Sequence, residues 1–142
     1  MGEQTAATAN GGPGGTDEPG VDLLADAFSS VDELIDGLDD AAFATPSPLQ
    51  GWTVKDCLSH ILGTELSLLG DPAPVVEISH LEHVTTPFQE FLEVWIEERR
   101  PRSGDEVRAE FRATVPRRLA QLRSMAPEEF DEVSFSPIGE IP

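Results

Sequence analysis

A chain of 142 residues with 27 acidic and 9 basic side chains, net charge -18, repels phosphate on average. That excludes a nucleic-acid binder, which needs a basic footprint. One cysteine excludes an internal disulfide. No apolar run approaches the roughly 20 residues needed to span a bilayer, and the N-terminus shows no basic-then-apolar leader. The reading is a cytoplasmic protein with no membrane or nucleic-acid partner. The absence of tyrosine and the scarcity of strand-type alternation suit a helical domain.

Residues 1–20, MGEQTAATANGGPGGTDEPG, hold almost nothing that a core could use and read as a disordered tail. A single domain is expected over 21–142. Val21, Leu24, Phe28, Val31, Leu34, Ile35 and Leu38 mark one helical stripe, so a first helix is expected from Val21 to Leu38 with its acids on solvated faces. Pro46, Pro48 and Gly51 then make residues 39–52 a connection. Trp52 sits where an apolar residue staples onto the next helix, and reads as a structural anchor.

The segment Leu49–Gly70, LQGWTVKDCLSHILGTELSLLG, holds the only chemistry-grade constellation. Thr53 and Asp56 have the spacing of a helix cap and its reciprocal acid. Val54, Cys57, Leu58, Ile61, Leu62, Leu68 and Leu69 follow as an apolar stripe on a helix expected from Val54 to Leu69. His60 lies at one edge of that stripe. Glu65 falls near its middle, where a carboxylate must be paired, hydrogen-bonded, protonated or metal-bound. Glu65 is therefore a candidate acid-base group or a partner that supports a ligand. Cys57, three residues before His60, reads as a structural cysteine, with metal sharing as the alternative.

Gly70, Pro72 and Pro74 end that helix, and residues 71–87 read as a loop. It carries His80 and His83, either simply exposed or helping to hold a metal or an anionic substrate. A third helix is expected to start at Pro87, with Phe88, Phe91, Leu92, Trp95 and Ile96 as its core stripe. It breaks near Arg100-Pro101. Ser103 and Glu106 then cap a helix that runs to about Met125, with Pro116 inside it as a kink. Phe130, Val133, Phe135 and Ile138 are placed to cover the end of a bundle. The arginines between Arg99 and Arg123 read as a solvated helix surface, with an anion-binding patch as the alternative. There is no internal repeat, phosphate-cradling glycine loop or long heptad.

The stretch GWTVKDCLSHILGTE resembles the signature of the mycothiol-dependent maleylpyruvate isomerase family, a branch of the DinB-like metal-binding bundles. Residues 88–142, including the closing P-x-G-E-x-P, are similar to the middle of the same family. The fold this implies is all-α, a DinB-like up-and-down helical bundle. In the family one histidine of the second helix joins an acidic residue and a histidine on the last bundle helix to hold a divalent metal, usually zinc. His60 matches the first ligand. The other two would fall on a helix beginning after Pro142, so the bundle is expected to lack its final helix here and to be incomplete as a catalyst.

The resemblance also implies the cofactor mycothiol, a small actinobacterial thiol. A metal-bound thiol is deprotonated at neutral pH and becomes a nucleophile. In the isomerase it adds to a conjugated double bond, which rotates as a single bond before elimination. The implied function is thus metal-activated thiol chemistry on a small-molecule substrate. The alternative is a non-catalytic helical module whose exposed apolar groove binds a partner or a second copy, making a homodimer.

Overall fold

The computed structural model describes residues 18–132, together with the backbone of a hairpin pairing Ser134–Ser136 with Gly139–Ile141. Most of the expected tail, Val133 and Ile138 of the expected end cover, and the side chain of Phe135 lie outside what is described. The all-α, DinB-like bundle read from the sequence is the architecture that forms. Its helices are α1 (Pro19–Ile35), α2 (Asp40–Phe43), α3 (Val54–Leu68), α4 (Pro87–Glu97) and α5 (Gly104–Ser124). A single 3-10 turn follows at Pro127–Asp131.

Each long helix after α1 starts with a reciprocal cap. Thr53 accepts from the amide of Asp56, whose carboxylate accepts from the amide of Thr53. Ser103 and Glu106 repeat the pattern on α5. Thr86 and Gln89 do so on α4, a cap absent from the sequence reading. Each such cap typically stabilises its helix by about 1 kcal/mol. At the other ends, Gly37 and Gly70 adopt left-handed backbone with φ of 71° and 87°. Gly37 closes α1 three residues before the expected Leu38.

α5 is the central element. α3 and α1 both pack on it, and α4 packs on α3. The core is Phe28 and Ile35 from α1, Phe43 from α2, Leu58, Leu62 and Leu66 from α3, Trp95 from α4, and Val107 and Phe111 from α5. Phe28 and Phe111 meet edge to face, with ring centroids 6.1 Å apart. The short helix α2 was expected as plain connection. It exists because Asp39 caps it and because Phe43, 1% exposed, needs a regular backbone to enter the core.

The expected stripes need correction at their edges. Leu34 of α1 and Leu68 of α3 are 75% and 53% exposed. On α4, Phe88 and Phe91 are 46% and 44% exposed, while Glu93 at 2% is buried. The helix is rotated so that a polar line, Gln89, Glu93, Glu97 and Arg100, turns toward the protein. Helix periodicity gave the period correctly; a buried ion network decided the phase.

Two glycines permit the close packing. A methyl at Gly63 would lie 2.4 Å from Cβ of Trp95, and one at Gly104 would lie 2.1 Å from Cδ2 of Phe43. Neither neighbour can retreat without disturbing the core. Gly63→Ala and Gly104→Ala should each lower stability by about 1–3 kcal/mol, despite the better helix propensity of alanine. The shift of the urea midpoint at constant slope measures this, and an unchanged midpoint would refute the tight packing.

Candidate functional site

The Gly51-Trp52 turn brings the site together. Gly51 has a φ of 79°, a conformation that side chains other than glycine rarely adopt. A Cβ there would also lie 2.7 Å from Nδ1 of His83. The bare glycine thus lets the 71–86 loop lay His83 against the turn. The turn in turn sets Trp52 just ahead of the Thr53 cap, so the start of α3 fixes where the indole stands.

Glu93 is the hub. Its Oε1 accepts from Nε1–H of Trp52 at 2.6 Å and from Nε2–H of His83, also at 2.6 Å. A carboxylate can only accept here, so His83 carries its proton on Nε2. Oε2 of Glu93 meets the Arg100 guanidinium at 3.1 Å. Arg100 also contacts Glu97, and its Nε lies 3.6 Å from Asp56 of the α3 cap. Lys55 donates to the carbonyls of Arg100 and Arg102 at 2.8 and 2.6 Å, which ties the break after α4 to α3. A buried carboxylate is tolerable only with such complete compensation.

His60 stands on α3 with its ring centroid 5.2 Å from that of Trp52 and the planes tilted by 40°. It is half-buried, and burial pushes its pKa below the ordinary histidine value of 6.5. The neutral ring is therefore favoured, with a lone pair free to bind a metal or accept a proton. Trp52, which packs on His60, also lines a cleft of about 290 Å³ together with Leu49, Gln50, His83, Leu92 and Glu93. A larger cleft of about 710 Å³ lies across the Gly51 turn, beside Lys55, Asp56 and Arg100. Its basic groups are already engaged by carbonyls and carboxylates, so the smaller cleft is the better candidate.

The structure thus joins Trp52, His60, His83, Glu93 and Arg100. It places the other candidates elsewhere. Glu65 lies about 140° around the helix from His60. Its carboxylate pairs with Nε of Arg118 on α5 at 2.9 Å, which answers the need for a partner at an apolar position. His80 is exposed, with Nε2 3.4 Å from Glu97. Cys57 is half-buried and free.

Among the described residues, no group of three histidine, cysteine or acidic side chains is placed to hold a metal ion. A catalytic zinc needs about three protein ligands. His60 alone does not meet that requirement, so these residues do not make a metal centre by themselves.

Glu93 and Arg100 were missed by sequence reading. The signal available was the polar spacing of Gln89, Glu93, Glu97 and Arg100, which reads as a solvated face. Only the fold shows that it faces inward. The arginine patch also resolves. Each of the eight arginines lies within 4 Å of a carboxylate, and Arg99 is buried at 2% exposure against Glu98 and Glu110. No helix among the described residues is long and apolar enough to cross a membrane.

No curated protein and no solved structure matches the chain. The sequence model of the mycothiol maleylpyruvate isomerase N-terminal domain does, over residues 24–133, which takes in every helix from within α1 to α5 and the whole Trp52–His60–Glu93 cluster. The chain belongs to the mycothiol maleylpyruvate isomerase N-terminal domain family.

Proposed function

We propose that this chain supplies the metal- and thiol-binding half-site of a mycothiol-dependent isomerase or thiol-transferase that acts on a small molecule. His60 contributes one nitrogen to a divalent metal, zinc by its preference for nitrogen and sulfur donors, and the remaining ligands come from outside the described residues. The observation that carries the reading is His60 itself: an imidazole whose burial favours the neutral form, packed on an aromatic ring, on α3 within the stretch that the family model matches. What the described residues do is favour an unprotonated nitrogen on His60 and line a cleft with Trp52, the ring that packs on it.

Glu65 enters the proposal as an indirect support. Its pair with Arg118 fixes the register of α3 on α5, and so the height of His60. A second reading, a helical module that binds a partner or itself, is favoured by the exposed Phe88, Phe91 and Leu68. Sedimentation of the purified chain with and without zinc separates the two. A metal-free monomer that stays monomeric speaks against both.

Zinc titration of the dialysed chain should show binding that His60→Ala weakens at least tenfold, and equal affinity in the variant would sink the assignment. Glu65→Gln should cost about 1–3 kcal/mol of stability and weaken zinc binding by a few-fold, whereas unchanged values in both would remove it from the site.

The lowered pKa of His60 also has a sign. The folded state binds fewer protons than the unfolded one between the folded pKa and about 6.5, so stability rises with pH across that window. The contribution is complete above about 6.5 and is lost as pH falls toward the folded pKa. Urea midpoints from pH 7.5 to 5, in steps of about half a unit, should therefore fall less in His60→Gln than in the parent chain. Parallel curves would contradict the burial of the ring.

A further inference from the structure

We infer that Glu93 is a positioning residue, which sets the plane of the His60 ring without touching it. The contact chain is continuous. Arg100 holds Oε2 of Glu93 at 3.1 Å, Oε1 holds the indole N–H of Trp52 at 2.6 Å, and the indole lies against the His60 ring at 5.2 Å. An indole on a turn has two side-chain torsions to fix. Packing against His60 constrains one face, and the bond to Glu93 fixes the direction of the N–H edge. Without that bond the ring can swing about Cβ, and His60 loses the wall that orients it.

Burial supports the same role. Glu93 is 2% exposed, so it cannot exchange its partners for water at no cost. Its second donor, His83, brings in the 71–86 loop through the same oxygen, Oε1. The loop therefore closes on the site at the atom that aims the indole. Sharing one oxygen couples the two: a ligand in the small cleft that displaces His83 changes the acceptor strength left for Trp52. Gly51 is part of this arrangement, because a side chain there would push the His83 ring off Glu93.

The functional meaning of this role rests on the reading of His60 as the reactive nitrogen; the ring geometry does not, and the experiment uses that difference. The probe is the His60 Cε1–H signal in a two-dimensional proton–carbon spectrum of the metal-free chain, assigned with His60→Gln. The Trp52 ring current should displace it from the random-coil position. Glu93→Gln loses the charge that locks the carboxylate to Arg100, and Arg100→Gln releases Oε2 of Glu93; both leave the Trp52 indole, the source of the displacement, in place. Both should move the signal at least halfway back toward the random-coil value while far-ultraviolet circular dichroism stays helical. Should Glu93→Gln fail to fold, Arg100→Gln decides alone.

A folded Glu93→Gln chain, or Arg100→Gln in its place, whose His60 signal keeps its full displacement would overturn the proposal. A parent chain that binds no zinc, with the signal still shifting in the variants, sinks the metal reading and upholds the positioning one.

Discussion

A carboxylate with almost no access to water dictates much of this structure. Glu93 at 2% exposure would be intolerable alone, since desolvating a charge costs several kcal/mol even after relaxation. Its compensation comes from three separate parts of the chain: the turn before α3, the loop before α4, and the break after it. None of these segments has an apolar core of its own to hold it. The ion network therefore does for the irregular parts of the molecule what Phe28, Leu62 and Phe111 do for the helices. It also explains why α4 turns Phe88 and Phe91 outward. Rotating the helix to bury them would pull Glu93 out of reach of all three donors.

The cost of such a network is also what makes it specific. Apolar packing tolerates small slides, because one methyl substitutes for another. A carboxylate with donors at 2.6, 2.6 and 3.1 Å does not. The cleft between the Trp52 turn and α4 is thus bounded by groups that hold one another through directional bonds. His60 meets this arrangement through its ring contact with Trp52. Sites that hold a reactive atom benefit from this kind of support, because orientation errors of a few tenths of an ångström matter there.

Much was legible in the sequence, and the reasons differ by residue. Thr53-Asp56 and Ser103-Glu106 could be read because a cap is a local device: its donor and acceptor are three residues apart. The existence of α1, α3, α4 and α5 followed from periodicity alone. His60 stood out through the motif around it. Glu93 did not, because nothing within its own helix distinguishes an inward acid from an outward one. Its partners lie at sequence separations of 41, 10 and 7. Helix α2 was hidden for a similar reason, since four residues carry too little periodicity to register and Phe43 is held by Gly104, far along the chain. Glu65 was read correctly as needing a partner. That the partner is Arg118, rather than anything near His60, depends on how α5 lies.

The internal pairing of the arginines reaches beyond stability. All eight spend their charge on neighbouring carboxylates, and the one lysine spends its donors on backbone carbonyls. A net charge of -18 remains. Among the described residues no arginine or lysine is left without an acceptor, so the chain meets solution as an anion. Screening confines that field to about 10 Å at 0.1 M salt, so it governs encounter, not the bound state. Cations are concentrated near the surface and acids are turned away. Any acidic molecule that occupies the cleft must be kept by contacts made after it arrives, because nothing at a distance draws it in.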